Sequence, residues 1–275
     1  MNCKELISDR IKDFVREYQK REYIQTSFGE PLVGIADAFE PEIQGLREVI
    51  GSSHVLPQDI LPDAKAVIAY YVPFTEELAL SNSAAGPASP EWARAYEELN
   101  YMFADLNSEL LEYISSLGED FTAAISHAAS EFDQTELVSN WSHRHMAYAA
   151  GLGTFGINNM LITECGCCGR FNSIVTNLGP ELLPPDRPME TELCLYKLDG
   201  SCGVCMANCP GGAIHPEESD KFGAGFSRDK CYEVCLANAA RYPVPDELAP
   251  SYAAIGSEVC GKCITGSPCA FRNYR

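Results

Sequence analysis

Apolar residues near the start of the chain recur at helical spacing: Ile7, Ile11, Phe14, Val15 and Tyr18 stand among charged neighbours. That period predicts an amphipathic helix over residues 4–23, with one face on a core. Two short, unbroken apolar runs, Pro31–Ala36 and Ala66–Val72, read as buried strands. Ser81–Pro90 is small, polar and interrupted by proline, hence a loop. A second helical stripe then runs through Trp92, Tyr96, Leu99, Phe103, Leu106, Leu110 and Ile114, stopping near Gly118. Phe121–Ser126 is a candidate strand, and His143–Ala150 a short helix halted by Gly151. Met160–Thr163 and Ser173–Thr176 are further short strands. Glu181–Pro188 holds three prolines and is the best domain boundary. The expectation is an α/β (α+β) domain over 1–188, followed by a small cysteine-rich module over 189–275.

The cysteines give that module its chemistry. Of thirteen in 275 residues, nine fall between Cys194 and Cys269. The first residues, Met1-Asn-Cys-Lys-Glu5, lack the basic and apolar regions of a secretion signal. A disulfide framework is therefore the weaker reading and metal binding the stronger, in a protein expected to be cytoplasmic. No run approaches eighteen apolar residues, so no membrane span is expected. The net charge of −19 repels phosphate backbones and points to small-molecule or protein partners, not nucleic acid.

The spacing is Cys194-x7-Cys202-x2-Cys205-x3-Cys209-Pro210, then Cys231, Cys235 and Cys260-x2-Cys263-x5-Cys269. Two-cluster ferredoxins carry C-x2-C-x2-C-x3-C-P, whose last cysteine crosses to the other cluster. The second half of that run is intact; Asp199 stands at its first cysteine, and Cys194, five residues earlier, replaces it. The cross-over rule assigns Cys194, Cys202, Cys205 and Cys269 to one [4Fe–4S] cluster, and Cys209, Cys231, Cys260 and Cys263 to another. The competing reading is one zinc ion held by two C-x2-C pairs. Zinc explains neither the Cys-Pro after a three-residue gap nor eight spaced thiols. Cys235 is left as a small buried hydrophobe or a substitute ligand.

Other features need weighing against plainer roles. Gly151-Leu-Gly153-Thr-Phe-Gly156 matches the dinucleotide fingerprint by letter, but that motif needs a strand before it, a helix after it and a later acid. Here the order is reversed and the segment around Phe171–Thr176 has no acid, so NAD is excluded. Glycines this close still mark a tight backbone approach, to another strand or to a flat cofactor. His143 and His145, two apart, do not share a helix face; core bonding is the default and proton donation the functional reading. Cys165, Cys167 and Cys168 are too close along the chain for a third cluster, leaving a redox-active thiol as their functional reading.

The segments Ala149–Ile162, Gly169-Arg-Phe, Thr176-Asn-Leu, Leu183-Pro-Pro-Asp186 and Cys209-Pro-Gly-Gly-Ala-Ile214 together resemble the epoxyqueuosine reductase family. The early Asp59–Ile68 stretch resembles it more loosely. The resemblance implies a cobalamin-binding domain fused to a two-cluster ferredoxin-like module, related to reductive dehalogenases. It places a cobalamin against Gly151, Gly153, Gly156 and Asn158, reduced through the clusters by a ferredoxin- or flavodoxin-type donor. The family's catalytic acid falls roughly fourteen residues before the first glycine, where this chain has Leu137, with Glu136 and Asp133 nearby. The family's C-terminal tRNA-gripping domain has no counterpart here, and with the charge this argues against a tRNA substrate. The expected activity is an iron–sulfur oxidoreductase; the alternative is a non-catalytic carrier, or a reductive activator of a partner corrinoid protein or flavoprotein.

Overall fold

The computed structural model describes residues 3–125, 132–218, 220–222, 225–245, 248 and 256–271. Its strands are β1 (Leu32–Asp37), β2 (Ala66–Pro73), β3 (Ala123–Ile125), β4 (Phe132–Asp133), β5 (Val138–Ser139), β6 (Gly153–Phe155), β7 (Leu161–Thr163) and β8 (Gly169–Thr176). One sheet runs β1-β2-β8-β3 and is antiparallel throughout, while β4-β5 and β6-β7 form two small hairpins. Of the two classes allowed by the sequence, this mixture of helices and an antiparallel sheet is the α+β one.

All eight residues of β2 are buried. Alternate side chains point to opposite faces. Ile68, Tyr70 and Val72 join the core beneath helices Cys3–Tyr18 and Pro90–Ser116. Val67, Ala69 and Tyr71 join a second core with Trp141, Met146 and Phe155. A sheet covered on both faces explains why β2 reads as an unbroken apolar run. The first helix ends at Tyr18, five residues before the expected limit, because its apolar period ends there and Lys20–Tyr23 offers no face to bury. Ser89 caps the long helix, its hydroxyl accepting from Trp92 N at 3.1 Å.

β8 is twice the expected length and begins at Gly169, because Val72 pairs with Arg170 and Tyr71 with Phe171. β6 was not expected; it exists because Gly153–Phe155 pairs with β7. The strand expected over 121–126 is present at Ala123–Ile125, and Ser126 lies outside the described residues. The proline-rich stretch at 181–188 is tied down: Asp186 pairs with Lys4 at 2.6 Å and accepts from Ile35 N at 2.9 Å. One core reaches from Ile7 through Trp92 to Cys205 and Ala270, so the cysteine-rich segment packs directly on the helices.

Candidate functional site

Cys194 precedes the helix Leu195–Asp199, Cys205 lies in the helix Val204–Asn208, and Cys269 sits in a single turn at Pro268–Ala270. With Cys202 they line one hollow, beside Gly156 and Asn158. Burial, then the charges of Cys269, Cys194 and Cys202, push the Cys205 thiol up to about 12. Cys209 closes the same short helix on its other side. Burial raises Cys260, which has Cys231 and Cys209 as neighbours. Burial, then Cys231, Cys260, Cys205 and Cys209, hold Cys263 well above the usual thiol range. Cys209, Cys231, Cys260 and Cys263 thus make a second group beside the first, with Cys235 also against Cys231, Cys260 and Cys263. Ala213 N donates to Cys209 Sγ at 3.3 Å, the backbone-to-sulfur bond that a cluster ligand accepts.

Thiolates at about 2.3 Å from one zinc ion would close on a point. Among the described residues, no three His, Cys, Asp or Glu side chains do so. Cys235 stands beside Cys231, one helical turn on, and their shared hydrogen bond lowers Cys231 to about 7.

A cavity of about 940 Å³ opens at one end of the sheet. Its walls are the first turn of the helix His143–Ala149, the β4-β5 hairpin, the start of β8, Asn159 and Met160, and the first turn of the helix Arg228–Ala239, which carries Cys231. That volume is at the upper end for cofactor and ligand sites. Trp141 Nε1 donates to Ser173 Oγ at 3.0 Å, and Ser173 Oγ lies 2.8 Å from His143 Nδ1. An indole N–H only donates, so Ser173 Oγ accepts from Trp141 and keeps a second lone pair and its own proton for His143. His145 Nδ1 bonds Ser142 Oγ at 2.7 Å, while its Nε2 is buried with no partner among the described residues. Burial, then the Arg144 charge, lower His145 to about 3. Arg170 lies 4.2 Å over the Tyr96 ring with one terminal nitrogen likewise buried and unpartnered. His145 and Arg170 both line the cavity, and each has one buried polar atom with no partner among the described residues.

Arg144 donates to Asn159 O and, at 3.4 Å, to Met160 Sδ. It grips a loop in which Asn159 adopts φ 59°; across the cavity Leu137 adopts φ 53°. Non-glycine residues in this left-handed region are uncommon. Leu137 thus lines the cavity at the point where the family's acid is expected. Glu136 lines it too, whereas Asp133 is exposed and engaged by the backbone N–H groups of Thr135 and Glu136.

The glycines are approached by the chain itself. A Cβ on Gly151 would strike Arg187 O, and one on Gly153 would strike Ile162 O in β7. One on Gly156 would lie 2.8 Å from Asn158 Oδ1. Gly156 and Asn158 face the first cysteine group, while Asn159 and Met160 face the cavity. The Trp141–Ser173–His143 chain and Arg170 were missed from the sequence, because partners thirty and more residues apart leave no local spacing to read.

No family model matches the sequence, and no curated protein does. Solved structures with a similar fold include reductases. They include epoxyqueuosine reductase from Streptococcus thermophilus, with TM-score 0.53 and 16% identity over 94% of this chain and 65% of that one. The Bacillus subtilis enzyme, with its catalytic loop swung out of the active site, gives 0.53 and 21% over 96% and 66%. An epoxyqueuosine reductase bound to an epoxyqueuosine-modified tRNA-Tyr stem loop gives 0.52 and 20% over 98% and 66%. This chain has the epoxyqueuosine reductase fold over nearly its whole length, as the resemblance in its sequence implies, and spans less than two thirds of those proteins. No helix among the described residues is long and apolar enough to cross a membrane.

Proposed function

We propose that this chain is an iron–sulfur oxidoreductase of the epoxyqueuosine reductase type. Cys194, Cys202, Cys205 and Cys269 would hold one [4Fe–4S] cluster, and Cys209, Cys231, Cys260 and Cys263 the other. Electrons from a ferredoxin- or flavodoxin-type donor would pass through them to the 940 Å³ cavity, where a cobalamin or the substrate itself binds. A bound cobalamin would supply a strongly reducing centre; the protein supplies position and exclusion of water.

The observation that carries this reading is the crossing-over. Cys269 stands with the first cysteine group and Cys209 with the second, as a two-cluster ferredoxin requires. At the cavity, His143 is tied to Trp141 through Ser173, and burial keeps His145 neutral. The end of the glycine segment, Gly156–Met160, separates the first cysteine group from the cavity. The acidic surface favours a small substrate over a polyanion.

Anaerobic purification should give a brown protein with about eight irons per chain, two cubes' worth. Titrating hydroxocobalamin under reducing conditions should then show saturable binding at micromolar concentration. A colourless protein with stoichiometric zinc would overturn the cluster assignment. Iron without cobalamin binding would instead leave the substrate as the direct electron acceptor.

A further inference from the structure

Cys167 is fully buried, and its Sγ lies 3.8 Å from Cys269 Sγ. The backbone holds it there. Cys167 N donates to Cys269 O, and Cys168 N to Ala270 O, both at 2.9 Å. Gly166, at φ 87°, lets the two stretches close, since a Cβ there would strike Ala270 O. Ser267 Oγ approaches the same sulfur from its own side at 3.4 Å.

A cysteine that binds iron does so as a thiolate, which accepts hydrogen bonds and has no proton to give. With Cys269 as an iron ligand, the protons in both contacts must come from Cys167 S–H and Ser267 O–H. Hydrogen bonds to ligand sulfur stabilise the more negative, reduced cluster and raise its potential. The contact is shielded from water, which would otherwise weaken it.

We propose that Cys167 is a positioning residue whose buried S–H donates to the Cys269 thiolate and, with Ser267, raises the potential of the cluster that Cys269 completes. The inference rests on the reading that Cys269 holds a cluster. It gives Cys167 a role outside the ligand set.

The test is a redox titration, followed by electron paramagnetic resonance, of the whole iron-loaded protein and of C167A, C167S and S267A. C167A should keep about eight irons. At a fixed applied potential, its reduced-to-oxidised ratio should fall about threefold for one cluster only, about 28 mV at about 59 mV per decade. C167S, which keeps a donor, should stay near wild type, and S267A should lower the same cluster. Unchanged potentials in C167A would overturn the proposal. So would loss of half the iron in C167A with none lost in C269A, since Cys167 would then be the ligand. Wild-type protein without iron would remove the underlying cluster reading itself, a result distinct from both.

Discussion

Lowering the pH from 7.5 to 5 should cost this fold about 4 kcal/mol through two histidines alone. His54 is 1% exposed and stacks on Trp141, with ring centroids 6.0 Å apart. Its Nε2 accepts from Ser142 N at 3.2 Å and its Nδ1 is buried with no partner among the described residues. Burial lowers its pKa to about 4. His145 lies between the Phe155 and Phe222 rings, at 4.7 and 5.0 Å, and burial with the Arg144 charge lowers it to about 3. Both folded values lie below the unfolded value of about 6.5. Between the two, the unfolded chain binds more protons, so stability is complete above about pH 6.5 and is lost as the pH falls. At pH 5 each histidine is about 1.5 units below that threshold, which at about 1.36 kcal/mol per unit is about 2 kcal/mol apiece. Urea unfolding at pH 7.5 and 5.0 measures the total, and His54→Gln and His145→Gln should each remove about half of the pH dependence. The carboxylates titrate equally in all three proteins and cancel in the comparison. An identical pH dependence in wild type and both variants would refute the reasoning.

Three further outcomes follow from the geometry. The fully buried Glu98 carboxylate accepts from Gln25 N, Thr26 N and Arg94 Nε at 3.0, 2.9 and 2.6 Å, so Glu98→Ala should cost about 3 kcal/mol in urea, with Glu98→Gln costing less. Gly151→Ala combines φ 73° with a collision against Arg187 O and should cost about 2 kcal/mol or more, whereas Gly212→Ala, at φ 57° with open space around it, should cost about 1 kcal/mol; paired thermal melts separate strain from collision. Cys231→Ser should lose about half the iron and Cys235→Ser none, by iron assay on matched preparations; the reverse result would make Cys235 the ligand.

Much of the fold was legible because its signals are local. The helix at Pro90–Ser116 buries Trp92, Leu99, Phe103, Leu106, Leu110 and Ile114 as its period requires. The β2 run shows its two-sided burial in composition alone. The cysteines that line one hollow, Cys194, Cys202, Cys205 and Cys269, were singled out for a different reason, the spacing rule of two-cluster ferredoxins. The cavity was not legible. Its wall is assembled from the β4-β5 hairpin, β8 and the first turns of two helices, which share neither period nor motif. The glycine segment was legible as a close approach, but letters alone do not say that the approaching group is Arg187 O or Ile162 O.

That segment also explains where the resemblance is densest. From His143 to Met160, eighteen residues of continuous chain supply the cavity's histidines, pair β6 with β7, reach the first cysteine group at Gly156 and Asn158, and return to the cavity at Asn159. Asn158 Nδ2 also reaches Cys263 O at 3.4 Å, which brings the second cysteine group into the same span. A side chain added at Gly153 would displace β7 and, with it, the loop that Arg144 holds by Asn159 O. Close-packed interiors transmit such shifts with little loss. The distance from cysteines to cavity is therefore set by one short piece of backbone, and a sequence that keeps the distance must keep the glycines, whatever ligand the cavity takes.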